Sequence, residues 1–292
     1  MRINYVTIAG HELGSYRYQL FTPATELMKK GHEITFSPEP IEDCDVYVFH
    51  KHFRDREVKM IREVKGLKVY AISDFHFNTV NRKHYSGMCQ EADLIVCATN
   101  RLSELVEKET GKKTEIIFDP WGIEFCEQKP NYSPHGELIA LWFGHMSNIK
   151  GLQDNIESLR GCRLMIVSNA DSKGIIPYSI DTMKIAFERC DFVVIPQDIN
   201  EPGKQTKTHN RIVDSFRAGK FVIASPVDSY LDFKDWAYIG DIKEGVEWLK
   251  RQSITEIETR ILKAQEYIRK TFSPEKIADQ WETAFMKGLQ NG

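Results

Sequence analysis

Basic side chains gather at the start of one predicted helix, in the stretch KTHNRIVDSFRAGKFVIAS at residues 207–225. The spacing of its apolar residues predicts a helix over 207–218, followed directly by a strand. Lys207, His209 and Arg211 crowd the start of this helix, where the backbone dipole is positive and acidic residues are usual. Free N–H groups at a helix start and nearby cations together form a phosphate site. The stretch therefore predicts that an anion binds among these side chains.

The same helix carries a polar stripe whose members follow at steps of three and four: Lys207, Asn210, Arg211 and Asp214. An ordinary solvated helix explains the stripe but not the basic bias at the positive end. In the preceding loop, the carboxylate of Glu201 either accepts hydrogen bonds from ribose or sugar hydroxyls or is simply solvated.

Two other strand-to-helix turns combine glycine with a basic residue. The turn AGHELGSYRYQL contains Gly14 and Arg17, and the turn WFGHMSNIKGL contains His145 and Lys150. Because α/β sheets bind ligands outside the carboxyl ends of their strands, the three turns predict a diphosphate in a cleft between two halves of the chain. The alternative is a pair of tight loops with solvated basic residues. The first turn is not G-x-G-x-x-G, which argues against a dinucleotide cofactor.

Short β-branched runs alternate with helical patterns along the chain, which predicts parallel α/β layers. A segment rich in proline and polar residues, EQKPNYSPHGE at 127–137, interrupts the alternation and predicts a linker between two α/β halves. The last helix, SPEKIADQWETAFMKGL, places Ile277, Trp281 and Phe285 on one apolar face. The candidate strands are INYVTIA, EITF, DVYVF, KVYAI, LIVCA, EIIF, LIALWF, RLMIV, FVVIP and FVIAS.

The composition is that of an ordinary globular protein, with 292 residues, 41% hydrophobic residues, 28% charged residues and a net charge of -3. The charge provides no overall attraction to nucleic acid. Six cysteines without a C-x-x-C pair argue against a zinc ribbon and indicate reduced thiols in a cytosol. We expect no signal peptide and no membrane-spanning segment, because no apolar stretch approaches the roughly 20 residues needed.

Charge is concentrated in the stretch 51–68, KHFRDREVKMIREVKGLK, which holds seven Lys or Arg against three acids. A solvated helix face with internal ion pairs is one interpretation. The alternative is a surface that contacts an acceptor, an anionic membrane or a nucleic acid.

Titratable residues follow two strands of the first half. His50 and His52 come after one strand, and Asp74 and His76 after the next. One of them could act as a general base toward an acceptor hydroxyl, or they could bind the acceptor. Helix capping and ordinary hydrogen bonding are the structural alternatives. The histidines lack a spacing such as H-E-x-x-H, so we expect no metal site.

Four segments together resemble the GT-B glycosyltransferases, in particular the large retaining family that uses nucleotide sugars. The order and spacing of the segments carry the resemblance: GSYRYQLFTPATELMKKGHEITF, ADLIVCATNRLSELVEKETGKKTEIIFDPWGIEF, LWFGHMSNIKGL and CDFVVIPQDINEPGKQTKTHNRIVDSFRAGKFVIAS. Two features depart from the family pattern. His145 replaces the first basic residue of the phosphate loop, and Glu201 and Asp214 lie farther apart than the family's acidic pair.

The resemblance implies two Rossmann-like domains that face each other across a cleft. It assigns acceptor binding to residues 1–130 and nucleotide-sugar binding to residues 136–270, with a helix in 271–292 that packs back on the first domain. It also implies hexosyl transfer from a UDP-sugar to a hydroxyl acceptor, such as a glycan, a lipid-linked glycan or a modified nucleobase, without an essential metal. The setting would be the cytoplasm or the membrane periphery, in the synthesis of surface polysaccharides or glycoconjugates.

The resemblance also implies roles for the residues named above. Lys150, Lys207 and Arg211 would stabilise the departing diphosphate, and Asp74 and His76 would act in catalysis or acceptor binding with His50 and His52. The donor would contact a further set: Gly14, Arg17, His145, Glu201, Asn210 and Asp214. Three other functions remain open: a nucleotide-sugar epimerase, a phage-type DNA-modifying glycosyltransferase and a non-catalytic protein that binds nucleotide sugars.

Overall fold

The computed structural model of the protein describes residues 1–11, 13–51, 54–134 and 136–291. The chain forms two units. The first takes in Met1–Gly122, Thr206–Thr208 and the chain from Phe272 onward, and the second takes in Ile123–Gln205 and His209–Thr271. Among the residues that the structure describes, none of the helices combines the length and the apolar composition that a membrane span requires.

The first unit is built on a parallel sheet of six strands in the order β2-β1-β3-β4-β5-β6. These strands are β1 Arg2–Thr7, β2 Glu33–Ser37, β3 Val46–His50, β4 Leu67–Ile72, β5 Leu94–Cys97 and β6 Glu115–Ile116. The helices are α1 Thr22–Lys29, which follows a π-helix at Tyr16–Phe21, then α2 Asp55–Glu63, α3 Arg82–Glu91 and α4 Asn100–Thr110. Apolar clusters cover both faces of the sheet, which explains why its strands are continuous hydrophobic runs.

The second unit repeats this plan with the order β12-β11-β10-β7-β8-β9. Its strands are β7 Leu138–Phe143, β8 Cys162–Ser168, β9 Ile176–Pro177, β10 Phe192–Ile195, β11 Phe221–Ala224 and β12 Tyr238–Ile239. Its helices are α5 Ile149–Asp154, α6 Ile180–Arg189, α7 Pro202–Gln205, α8 Asn210–Arg217, α9 Ile242–Leu249 and α10 Ile254–Thr271. The sequence patterns did not predict the short strands β9 and β12.

Local chemistry sets several helix ends. Thr99 accepts a hydrogen bond from the backbone nitrogen of Leu102 at the start of α4, and Gly111 ends that helix with a left-handed φ of 70°. At the start of α6, Ser179 and Thr182 form a capping box.

The last helix, α11 Pro274–Asn291, belongs to the first unit. Its buried residues Ile277, Trp281 and Phe285 share one apolar cluster with Leu27 of α1. The apolar face predicted from the sequence is therefore the face that packs into the core of this unit.

The segment predicted as a linker has no helix or strand among its described residues, but it is held to the second unit. Gln128 donates its backbone N–H to Arg217, and Asn131 donates to Gly219. A Cβ added to Gly219 would lie 2.2 Å from the backbone oxygen of Lys129. The segment is therefore docked rather than loose.

Candidate functional site

The carboxyl ends of β7 and β10 meet where the strand order of the second unit reverses direction. In an open parallel sheet, the loops that leave two such strands diverge and open a crevice in which ligands bind. Gly144 and His145 follow β7, and Pro196 and Gln197 follow β10. This edge is the candidate ligand site of the second unit.

Arg211 lies over the end of β7. Its Nη1 donates to the backbone oxygen of Phe143 at 3.3 Å, and a Cβ built on Gly144 would lie 3.5 Å from the same nitrogen. Arg211 is in the first turn of α8, which contains no acidic residue, and the N-cap residue His209 makes no side-chain cap hydrogen bond. A helix start with a guanidinium and no acid is suited to a phosphate or another anion.

The helix begins three residues later than the pattern predicted, at Asn210 rather than Lys207. Lys207 therefore lies outside the helix. The prediction that it belongs to the polar stripe of this helix is wrong. The cause is a tertiary one: Thr206–Thr208 belong to the first unit, where Thr99 Oγ1 donates to the backbone oxygen of Thr206. The solvated-helix alternative is also wrong, because Ile212–Arg217 are buried, Asp214 among them.

Lys204 is a further basic residue at this edge, and the sequence patterns did not predict it. It lies in α7, between β10 and α8, and its Nζ donates to Asn148 Oδ1 in the loop after β7 at 2.9 Å. The sequence signal that could have identified Lys204 is its position three residues after Glu201 in the same loop. Glu201 itself is exposed.

His145 and Lys150 are exposed and have local partners. Nδ1 of His145 accepts from the backbone nitrogen of Ser147 at 3.2 Å, and its Nε2 lies 3.0 Å from Asn169 Nδ2. Lys150 Nζ lies 2.5 Å from Asp154 Oδ2, one helical turn away. The roles of His145 and Lys150 in donor binding stay predictions.

The loops that leave β7 and β10 pack closely together. A Cβ on Gly151 in α5 would lie 2.6 Å from the backbone oxygen of Pro196, so no larger residue fits without a shift of the backbone. The backbone nitrogen of Gln197 donates to Ser225 Oγ, after β11, at 3.0 Å. Packing and hydrogen bonds therefore fix the backbone of this edge in place.

The first unit has its own reversal point, between β1 and β3, whose last residues Thr7 and His50 are in register. Lys51 follows β3 with a φ of 59°. Residues other than glycine, asparagine and aspartate rarely adopt this left-handed backbone conformation. Backbone strain of this kind concentrates at functional sites. Residue type and spacing do not distinguish Lys51 from the other basic residues of the stretch 51–68.

Asp74, after β4, joins two lysines. Its Oδ2 lies 2.5 Å from Lys51 Nζ, and its Oδ1 lies 2.8 Å from Lys207 Nζ. Burial acts to raise the pKa of Asp74, but the ammonium groups of Lys207 and Lys51 outweigh burial and hold that pKa well below its usual range. Asp74 is therefore an ionised carboxylate and a weak proton acceptor.

His76 is half-buried, and its ring lies 5.0 Å from the ring of Tyr85. Burial lowers the pKa of His76, the two nearby lysines lower it further, and Asp74 opposes them. The imidazole is therefore neutral at pH 7 and able to accept a proton. His50 is 0% exposed, and His52 lies outside the described residues. The acceptor roles of these residues stay predictions.

Arg17 lies in the π-helix that precedes α1. Its Nη1 donates to the backbone oxygen of His11 at 2.6 Å, and the residue is 7% exposed. A Cβ on Gly14 would meet only the side chain of Tyr18 at 3.4 Å, so packing does not require glycine there. π-helical turns are frequent at functional sites, and donor contacts of Arg17 and Gly14 stay predictions.

Ion pairs engage part of the basic stretch 51–68. Arg56 pairs with Glu39, and Arg62 pairs with Glu91. Both partners lie outside the stretch, so these pairs support a solvated helix face but not the ion pairs within the stretch that the pattern predicted. A contact of this stretch with a membrane or nucleic acid stays a prediction.

Two cavities of the first unit lie away from Asp74 and Lys51. One has a volume of about 810 Å³ and is lined by the first residues of three strands, Leu67, Leu94 and Glu115. The other, of about 740 Å³, adjoins it at residues 64–66. The first therefore lies at the amino ends of these strands, away from the carboxyl ends that Asp74 and Lys51 follow. Within the part of the chain that the structure describes, no group of three His, Cys, Asp or Glu could hold a metal ion.

Solved structures resemble the whole chain. HepE from Anabaena, in complex with UDP and glucose, has a TM-score of 0.71 at 13% identity, over 98% of this chain and 99% of that chain. WaaG, a glycosyltransferase involved in lipopolysaccharide biosynthesis, has a TM-score of 0.62 at 14% identity, over 95% of this chain and 98% of that chain. AviGT4, a glycosyltransferase involved in avilamycin A biosynthesis, has a TM-score of 0.64 at 11% identity, over 100% of this chain and 98% of that chain.

These neighbours are GT-B glycosyltransferases, and their likeness spans both units. The chain has the GT-B fold. The predicted fold class is thus confirmed, and the GT-B fold accounts for the two parallel six-stranded sheets. No protein-family model matches the sequence, and no curated protein matches it. At identities of 11–14%, the neighbours establish the fold of this chain alone.

Proposed function

We propose that the protein is a glycosyltransferase that moves a sugar from a nucleoside diphosphate to a hydroxyl acceptor, with a UDP-sugar as the first donor to test. One observation carries the proposal: Arg211, at the acid-free start of α8, lies over the end of β7 at the reversal point of the second unit. The complexes of HepE with UDP and glucose and with UDP-glucose support it.

In the proposed reaction, the bond between the sugar C1 and the phosphate oxygen breaks while the acceptor oxygen bonds to C1. The departing diphosphate gains negative charge, which fixed cations and helix N–H groups stabilise. Arg211 and the first turn of α8 would supply that charge with Lys204, and Asn210 would orient a phosphate or the sugar. Lys150 and Lys207 are further candidates from the sequence. With these cations in place, we expect that the reaction needs no divalent metal.

We propose retention of configuration at C1. The lowered pKa of Asp74 makes its carboxylate a weak base, so the departing phosphate oxygen is the better acceptor for the proton of the attacking hydroxyl. Asp74 would then position the acceptor together with His76. In an inverting reaction, the neutral imidazole of His76 would be the base instead. The involvement of WaaG in lipopolysaccharide biosynthesis supports the synthesis of surface polysaccharides or glycoconjugates as the setting.

Thermal unfolding in the presence of UDP, GDP, dTDP, ADP and CMP, with and without magnesium, tests the proposal. A ligand at about one hundred times its dissociation constant adds roughly 2.7 kcal/mol, which raises Tm by a few degrees in a protein of this size. We expect one nucleoside diphosphate to do so, equally with EDTA present. If none shifts Tm, the start of α8 does not bind a nucleoside diphosphate, and the proposal fails.

Turnover distinguishes the other functions. An epimerase would convert the donor sugar without an acceptor, and a binding protein would shift Tm without releasing UDP. Transfer to DNA would fall steeply with added salt, because phosphate contacts release counterions. We expect slow hydrolysis of the donor alone and faster release of UDP when a suitable sugar acceptor is added.

A further inference from the structure

A buried carboxamide at the reversal point of the second unit lacks a hydrogen-bond partner. Gln197 is 6% exposed, and its Nε2 donates to no atom of the described residues. A buried donor that has lost its hydrogen bonds to water destabilises the folded state unless something replaces them. An unpaired group beside a candidate ligand site is therefore a candidate ligand contact.

The backbone around Gln197 leaves little room for it to find a partner by shifting. Its own nitrogen donates to Ser225 Oγ, and the preceding carbonyl of Pro196 lies against Gly151, where not even a Cβ would fit. The terminal torsion of the side chain is soft, so a half turn exchanges the amide nitrogen and oxygen. The side chain can thus present either its N–H or its oxygen to a ligand while its backbone stays fixed.

Gln265 shows that the same unit satisfies a buried glutamine where the role is structural. It is 2% exposed, and its Nε2 donates to the backbone oxygens of Gln128 and Phe216, each at 2.8 Å. The side chains of Trp142 and Tyr230 also hold an unpaired polar atom within the described residues, but both residues are 0% exposed, against 6% for Gln197. Gln197 combines an unpaired amide with a place at the reversal point.

We propose that Gln197 binds the donor substrate, with its amide N–H donating to an oxygen of the nucleotide sugar, either in the diphosphate or in the sugar. This inference rests on the proposed function. Arg211 and Lys204 contribute charge at this edge, whereas a planar amide contributes direction, which fixes the orientation of the bound donor.

A matched pair of variants tests the assignment: Gln197→Met and Gln265→Met, each of which keeps the volume and removes the amide. Tm without ligand and Kd for UDP and UDP-glucose are measured for both, by calorimetry. We expect Gln197→Met to keep or raise Tm and to weaken binding at least tenfold, about 1.4 kcal/mol. We expect Gln265→Met to lower Tm and leave Kd unchanged, because its hydrogen bonds are internal.

Equal losses for UDP and UDP-glucose would assign the contact to the diphosphate, and a loss for UDP-glucose alone would assign it to the sugar. Gln197→Glu, which keeps the shape and adds a negative charge, should weaken binding further if the diphosphate is the partner. If Gln197→Met binds as the wild type does, or loses as much Tm as Gln265→Met, the inference is overturned while the proposed function stands. If the wild type binds no nucleoside diphosphate, the proposed function falls, and the inference falls with it.

Discussion

Titratable side chains at the carboxyl edge of the first unit are held in different protonation states. Asp74 is ionised between the ammonium groups of Lys51 and Lys207, and His76 is neutral. Environments that push pKa values apart are how proteins assign distinct roles to neighbouring groups. The arrangement gives this edge a fixed charge pattern and one neutral proton acceptor.

Replacing Asp74 with Asn tests the charge pattern through stability. The variant leaves both lysines without their carboxylate, so we expect unfolding to cost about 1–3 kcal/mol less at pH 7. The folded-state pKa lies below the unfolded one, so the contribution is complete above the unfolded pKa and is lost as the pH falls through the folded pKa. The loss begins below the unfolded pKa of about 3.9, so urea unfolding from pH 7 to pH 2 should show a constant difference between wild type and variant down to about pH 4 and a narrowing difference below it.

Asp171→Asn is the control, because Asp171 is exposed in the loop after β8. Its stability curve should follow that of the wild type at every pH. A curve for Asp74→Asn that also follows the wild type would contradict the ionised state assigned to Asp74.

Arg211→Ala tests the proposed stabilisation of the leaving group. Because the guanidinium would act where charge develops, we expect turnover to fall about 10²–10³-fold. Far-ultraviolet circular dichroism should remain that of the folded protein. Arg160→Ala is the control, since Arg160 is exposed and pairs only with Glu157 on its own turn in the described part of the chain. Near-normal turnover in a folded Arg211→Ala protein would remove this role.

Among the elements, the segment between the two predicted halves shows how an irregular stretch is fixed. Lys220 is buried, and its Nζ donates to the backbone oxygens of Asn131 and Cys190. Burial lowers the pKa of Lys220, with partial compensation from Cys190 and Asp191. The end of α8 and this segment thus pack together. Because α8 is rigid, contacts at its end also fix the position of its start.

Gly219→Ala should break that packing. Gly219 has a φ of 74°, and an added Cβ would lie 2.2 Å from the backbone oxygen of Lys129. Gly161 has a similar φ of 79° but open space around its Cβ position, so Gly161→Ala measures the backbone strain alone. We expect a loss of about 1 kcal/mol for Gly161→Ala and about 2–4 kcal/mol for Gly219→Ala in urea unfolding. Equal losses would show that the contact with Lys129 contributes nothing.

In the molecule as a whole, the two ends of the chain share one core. Lys30 and His32, near the end of α1, pair with Glu282 of α11, above the apolar cluster that holds Trp281 and Leu27. The chain from Phe272 onward is therefore part of the first unit.

Trp281→Ala tests this arrangement. Trp281 is 1% exposed, so we expect a loss of about 3–5 kcal/mol and a protein that aggregates near its lowered Tm. Met286 on the same helix is 47% exposed, and Met286→Ala should change Tm little. A chain that ends at residue 273 removes the whole apolar face and should aggregate outright. A truncated protein that stays monomeric in size-exclusion chromatography would contradict the role of α11.

Sequence reasoning identified Arg211, Asp74 and His76 as candidate site residues, because charged and titratable residues after strand ends are visible along the chain. It missed Lys51, Lys204 and Gln197. The significance of Lys51 rests on its backbone angle and that of Gln197 on a missing partner. Neither property can be read from residue type.

The sequence by itself determined the α/β alternation, most strands and the apolar face of α11, because hydrophobic periodicity is a local property. Only the tertiary structure decided the order of the strands, and with it the two reversal points where ligands would bind. It also decided that Lys207 leaves α8 and pairs with Asp74, which is 133 residues away in the chain. The reason is that a charged side chain pairs with the residues that the fold places next to it. Hydrophobic periodicity describes neighbours along the chain and carries no information about partners so far away in sequence.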